Sequence, residues 1–172
     1  MKIIFSFLLV ASFFVLTNSP VFAQNLTIIL LRHAEKDTSK EANKDDPDLT
    51  EAGKQRAERL VETIKKYRPT EIYSTSYKRA RATAAPLAEK INPRYRIQIQ
   101  NYEHNELEEL VERLLKTKTG TIVVVGHNTT TPTLANLLIK SDKYEYLQDS
   151  EYDKIWIIRI KGKKVKDQVI KY

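Results

Sequence analysis

Apolar positions along this chain follow two rhythms. Leu26–Leu31 is a continuous apolar run apart from Thr27, and Thr121–Val125 is another. Runs of that length predict strands buried on both faces. Thr70–Tyr73 predicts a short strand and the alternating segment Tyr95–Gln100 a further one. Between them the period changes. Ala57, Leu60, Val61 and Ile64 fall at i, i+3, i+4 and i+7, which predicts a helix from Glu51 to about Lys66, with Thr50 as N-cap and Pro69 beyond its end. Ala80, Ala84, Leu87, Ala88 and Ile91 predict a second helix, kinked at Pro86. Leu107, Leu110, Val111, Leu114 and Leu115 predict a third, with Glu106, Glu108 and Glu109 at its positive end. Thr131-Pro132 reads as N-cap and first residue of a fourth, running to Leu138. Ala34–Asp48 and Lys143–Asp153 are polar and read as loops. Ile155–Ile160 and Val165–Ile170 flank Lys161-Gly162-Lys163-Lys164 as a hairpin. This alternation predicts one α/β domain, a three-layer sandwich with a mostly parallel central sheet that ends in a C-terminal hairpin.

The first 23 residues follow neither rhythm. Lys2 precedes an apolar run, Ile3–Leu16, interrupted only by Ser6 and Ser12, and Val21-Phe22-Ala23 follows a short polar stretch. This is the pattern of a secretory signal peptide, and the run is shorter than the roughly 20 residues of a membrane span. Cleavage after Ala23 and export, to a periplasm or to the medium, are the expectation; an uncleaved anchor is the alternative. The remaining residues, 24–172, form the single predicted domain. All five Phe lie in the leader, so its core has to be aliphatic.

Charge changes the picture once it is divided. The 172 residues carry a net +7, which by itself suggests a polyanionic partner. Residues 24–153, however, hold 21 basic and 21 acidic side chains, and the last 19 residues hold seven basic and one acidic. The excess therefore belongs to the terminal hairpin. Nucleic acid is not expected as a partner, and contact of the hairpin with an anionic envelope surface is a minor expectation. The chain has no Cys, which excludes disulfides, thiolate nucleophiles and Cys-ligated metals.

Candidate chemistry collects where ligands bind in open α/β sheets, beyond the carboxyl ends of strands. Arg32-His33 follows the first apolar strand directly. His127 follows the Thr121–Val125 strand with only Gly126 between them. The Thr70–Tyr73 strand runs into Ser74-Thr75-Ser76, and Arg79 opens the next helix. Two arginines and two histidines in such places make an anion pocket, since guanidinium groups bind phosphate through paired, charge-assisted hydrogen bonds. A neutral imidazole can attack phosphorus and form a phosphohistidine that water cleaves. No metal or other cofactor is needed.

Four stretches in order carry a family resemblance: Leu30-Leu31-Arg32-His33-Ala34-Glu35; Asp48-Leu49-Thr50-Glu51-Ala52-Gly53; Ser74-Thr75-Ser76-Tyr77-Lys78-Arg79-Ala80-Arg81-Ala82-Thr83-Ala84; and Val123-Val124-Val125-Gly126-His127-Asn128. Together they resemble the histidine phosphatase superfamily, whose fold is phosphoglycerate mutase-like. The resemblance implies that His33 is the phosphorylated nucleophile and that Arg32 and Arg79 bind phosphate. It also implies that His127 binds the phosphoryl group and stabilises the transition state. The glycine that usually follows the nucleophile is Ala34 here. The proton donor in this superfamily is usually a carboxylate of variable position; Glu103 is the first choice and Glu35 the second. Lys78, Arg81 and His104 read as surface groups, and Tyr144, Tyr146 and Tyr152 as packing over the sheet edge, with the lining of a substrate mouth as the alternative.

The expected function is a metal-independent phosphatase acting on phosphate monoesters of small molecules or on phosphoproteins through His33. The alternatives are a phosphomutase and a non-catalytic phosphate-binding module of the same fold. The stretch between Arg79 and His127 accommodates one strand and one helix but no large lid, which fits hydrolysis better than mutase chemistry.

Overall fold

The computed structural model describes residues 24–172 apart from Pro93, so the expected signal peptide lies outside the described residues. Six strands form one sheet: β1 (Asn25–Arg32), β2 (Glu71–Ser74), β3 (Ile99–Asn101), β4 (Thr119–Gly126), β5 (Lys154–Lys161) and β6 (Lys164–Lys171). Their order across the sheet is β3-β2-β4-β1-β5-β6. The first four are mutually parallel, and β5 and β6 add antiparallel at one side. The helices are α1 (Glu51–Ile64), α2 (Lys78–Lys90), α3 (Leu107–Lys116) and α4 (Thr130–Ile139), with a 3-10 turn at Lys65–Tyr67.

The pleat sorts the core into two layers. Ile28 and Leu30 of β1 face one side with Ile122, Val124, Trp156 and Ile158, and are covered by Leu110 and Leu114 of α3 and Leu134 and Leu138 of α4. Ile29 and Leu31 face the other side with Val123 and Ile157, beneath Leu60 and Ile64 of α1 and Ala84 and Leu87 of α2. β1 and β4 are apolar without alternation because helices cover both faces. This is the expected three-layer sandwich with its C-terminal hairpin.

Several local expectations need correction. Tyr95–Gln100 does not form a strand along its length: β3 is Ile99–Asn101, and Tyr95 is exposed. Alternation over so few residues does not fix an edge strand, whose pairing depends on neighbours the segment cannot specify. α2 runs Lys78–Lys90 with Pro86 inside it, as expected. α4 begins at Thr130, one residue before the expected N-cap Thr131, whose hydroxyl donates to the Leu31 carbonyl at 3.3 Å instead of capping, while Thr130 Oγ1 accepts the His127 N–H at 2.9 Å. Thr50 does cap α1, accepting the Gly53 N–H at 3.0 Å.

Candidate functional site

Register brings the two histidine strands together. β1 lies between β4 and β5, with Arg32 opposite Gly126, and the His33 N–H donates to the Gly126 carbonyl at 2.9 Å. His33 and His127 therefore leave adjacent parallel strands at the same end, with ring centroids 5.4 Å apart. Gly126 leaves room for α4 and Tyr102 to pack on this strand end, since a Cβ there would stand 2.9 Å from Thr130 Oγ1, Thr131 Oγ1 and Tyr102 OH. β2, on the far side of β4, ends at Ser74. Its continuation places Thr75 Oγ1 3.0 Å from His127 Nε2.

The tautomer of His33 follows from its partners. Nδ1 lies 2.7 Å from the Ala34 carbonyl, an acceptor only, so Nδ1 carries the proton. Nε2 then holds the lone pair, and it accepts the Arg79 Nε–H at 3.3 Å. Arg79 stands in the first turn of α2, where Thr83 helps to fix it: the Thr83 hydroxyl donates to the Arg79 carbonyl and accepts the Ala34 N–H at 2.9 Å. One threonine thus ties the nucleophile loop to the helix that bears the arginine.

Arg32 is 2% exposed. Its NH1 donates to the carbonyls of Gln148 (2.9 Å), Asp149 (3.1 Å) and Glu151 (2.9 Å), and its guanidinium lies 4.0 Å from the Tyr152 ring centre. The otherwise irregular loop 143–153 is therefore built around this side chain. It is also pinned by the Leu147 N–H, which donates to the Asn128 carbonyl. Arg32 Nε and Arg79 NH1 are buried without a hydrogen-bond acceptor. Buried guanidinium N–H groups without acceptors are uncommon, and an oxyanion with several lone pairs would satisfy both. Two carboxylates reach the rim: Asp149 lies 3.8 Å from Arg32 NH2, and Asp46 lies 3.7 Å from Arg79 NH1 while accepting the Lys78 N–H.

The surroundings keep both imidazoles neutral. Burial, reinforced by the charges of His127, Arg32 and Arg79, pushes His33 down to about 3 against the opposing pull of the Ala34 carbonyl. Burial and then Arg79 push His127 down to about 4. Burial also lowers Arg32. A neutral His33 with its lone pair on Nε2 has the protonation state a nucleophile requires.

The structure brings Arg32, His33, Arg79 and His127 into one cluster. It does not bring Glu103 or Glu35 into contact with either imidazole. Glu103 is exposed, accepts from Asn101 Nδ2 at 3.0 Å and lines a groove along α3 with Glu106, Glu109 and Arg113. Glu35 is held by Arg56, whose Nε and NH2 donate to it at 2.6 to 2.9 Å, and the Arg56 hydrogen bond and charge outweigh burial to lower its pKa. His104, Lys78 and Arg81 are exposed, as expected.

Sequence reasoning missed Thr75, Thr83 and Tyr152. Thr83 stands inside the stretch that carries Arg79, so its register was visible. Thr75 and Tyr152 gave no periodic signal. Tyr152 lies against Arg32, with its ring centre 6.1 Å from that of His33, while Tyr144 packs on Trp156 and Tyr146 is exposed. Tyr152 is therefore a site residue and not packing over the sheet edge.

Comparison with known proteins bears on this cluster. The family model of the histidine phosphatase superfamily, branch 1, matches residues 28–110, a stretch that includes Arg32, His33 and Arg79. No curated protein matches the chain in sequence. Solved structures share the fold at low identity. The SixA protein of Agrobacterium tumefaciens superposes with a TM-score of 0.65 at 21% identity, over 85% of this chain and 98% of its own. Protein histidine phosphatase SixA complexed with tungstate gives 0.66 at 10% identity, over 84% and 96%. The phosphoserine phosphatase of Entamoeba histolytica in complex with 3-phosphoglyceric acid gives 0.59 at 18% identity, over 77% and 90%. The family-model match, the shared three-layer fold and the ordered motifs agree: residues 28–110 of the chain match the histidine phosphatase superfamily.

Proposed function

We propose that this protein is an exported, metal-independent phosphatase that works through a phosphohistidine on His33. The observation that carries the reading is the pairing of a neutral imidazole, its lone pair on Nε2, with two buried guanidinium N–H groups that lack acceptors. In the reaction, a phosphoryl oxygen takes the free N–H groups of Arg32 and Arg79 and displaces Arg79 Nε from the His33 lone pair. Nε2 then attacks phosphorus. The P–O ester bond breaks, and its electrons leave with the departing group. His127 and the arginines stabilise charge on the transferred phosphoryl. Water attacks the phosphohistidine in a second step, the N–P bond breaks, and inorganic phosphate leaves with His33 neutral again.

Neither imidazole pairs with a carboxylate among the described residues, and Glu35 is committed to Arg56. The leaving group is protonated from solvent. Substrates whose leaving group departs without an enzymatic acid are favoured over simple alkyl monoesters, and phosphohistidine of a phosphoprotein is one such substrate. The SixA relatives support that class.

The test is to trap the intermediate. Labelled phosphate from an activated ester is expected on His33 in an acid-labile, base-stable bond. Wild-type turnover by His33→Ala overturns the mechanism. Saturable phosphate binding with no turnover of any ester or phosphohistidine substrate supports the non-catalytic binding module instead.

A further inference from the structure

The hairpin turn stands at the end of the sheet opposite the histidines. β1 runs from Asn25 to Arg32, so the two ends are about 23 Å apart at the rise of an extended strand. At the far end, Arg159 lies directly opposite Lys166, and Lys161 opposite Lys164. Lys163 occupies the turn, where Gly162 takes a positive φ of 56°. The two cross-strand pairs lie on the face of β5 that carries Ile155 and Ile157. Like charges directly opposite one another destabilise a sheet, and none of these five cations forms an ion pair among the described residues. Arg159 meets only the neutral amide of Gln168, at 3.3 Å.

More cations converge on the same pole. Gln24 joins the hairpin turn to the α3–β4 connection: its carbonyl accepts the Gly162 N–H at 2.8 Å, and its Nε2 donates to the Leu115 and Thr117 carbonyls. Lys116 and Lys118, both exposed, flank that connection. Glu71 at the start of β2 is engaged by Thr117 Oγ1 and the Tyr73 hydroxyl. Asp167, the single acidic residue of the hairpin, belongs to Lys143 and Tyr144. Basic residues at helix ends are explained by the helix dipole, but the hairpin has no helix end to complement. Two like-charge pairs without a local partner call for an external one.

We propose that this pole docks on an anionic lipid bilayer, with Lys118, Arg159, Lys161, Lys163, Lys164 and Lys166 against the headgroups and the histidine site turned to solution. Besides charge complementarity, the start of the domain supports a bilayer. Gln24, the first residue after the expected cleavage site, is hydrogen-bonded to the hairpin turn itself, so cleavage after Ala23 leaves the new α-amino group, a further cation, beside this patch. No helix among the described residues is long and apolar enough to cross a membrane, so the contact is peripheral.

The test is co-sedimentation of the protein, as the cell delivers it, with vesicles one-third phosphatidylglycerol in phosphatidylcholine and with vesicles of phosphatidylcholine alone. Binding is expected to the first only, and to fall steeply as salt rises from about 0.1 M to about 0.5 M. Each interfacial cation contributes about fivefold to partitioning, so K161Q/K163Q/K164Q/K166Q is expected to lose about a hundredfold or more. Its hydrolysis of a soluble ester stays at the wild-type rate. K40Q/K44Q/K54Q/R81Q, with the same net charge but altered at the histidine end, keeps its vesicle binding. Equal binding to neutral vesicles, equal loss in both variants, or tighter binding to duplex DNA than to anionic vesicles overturns the proposal. These readouts measure binding, so their failure is distinct from failure of the phosphatase reading.

Discussion

Around the carboxyl ends of β1 and β4, Arg32 is buried and Arg79, from the first turn of α2, is partly buried, and each is held by named partners: loop carbonyls and Tyr152 for one, His33 and Tyr77 for the other. At the opposite end of the same sheet, five cations of the hairpin stand in solvent or face one another. The first arrangement has few charges and fixed geometry; the second has many charges and little geometry. A buried guanidinium with an unfilled N–H selects a small oxyanion by directed hydrogen bonds. A spread of exposed lysines recognises only the sign and extent of a surface. Basicity alone therefore says little about function, and burial with unfilled donors says much more.

The sharpest break of that comparison is His33→Ala, which is expected to lower turnover by about ten-thousandfold or more, as loss of a nucleophile does. Burst and steady-state kinetics on an activated ester measure it. Next is Arg79→Gln, expected to cost about a hundredfold to a thousandfold in kcat, the effect of removing one positioned donor from a developing oxyanion. A matching loss in K161Q/K163Q/K164Q/K166Q would erase the distinction between the two ends.

Gly53→Ala tests the scaffold beneath the site. A Cβ at residue 53 would lie 2.3 Å from the Glu35 carbonyl oxygen, in the loop that follows the nucleophile. That loop also receives the Thr50 N–H and the Arg56 ion pair, and so has little room to shift. The expected cost is about 1–3 kcal/mol, read as a lower Tm.

The pH dependence of stability separates buried imidazoles from exposed cations. His33 and His127 have folded pKa values of about 3 and about 4 against 6.5 for the free group, so between these limits the unfolded chain binds more protons. Stability is unaffected above about pH 6.5 and falls as the pH drops toward 4. His33→Ala is expected to flatten that slope between pH 7 and 5 in thermal melts, and K161Q/K163Q/K164Q/K166Q to leave it unchanged. The smallest effect is expected for Glu103→Gln, within about twofold of wild-type turnover, as for a surface substitution away from the site. A larger effect on poor leaving groups than on good ones would restore Glu103 as the proton donor.

Much of this was legible in the one-dimensional pattern. β1, β4, the hairpin and three helix cores could be read because each repeats a strong local period, and Thr50 as N-cap because capping is local chemistry. Tyr95–Gln100 failed because a short edge segment takes its conformation from its neighbours. Tyr152 failed because an irregular loop carries no period at all: loop 143–153 takes its path from Arg32, which lies more than a hundred residues earlier in the sequence.

The sequence alone determined the elements, the concentration of charge in the last 19 residues, and the residue types able to handle phosphate. Periodicity, composition and side-chain chemistry are properties of single segments. Only the tertiary structure decided that β1 pairs with β4, setting His33 beside His127, and that Glu35 is committed to Arg56 with Glu103 facing the α3 groove. It also decided that the hairpin cations gather around Gln24 at the end remote from the site. Each of these depends on which strands become neighbours and in what register, and that is fixed by burying two apolar faces at once, a condition no single segment contains.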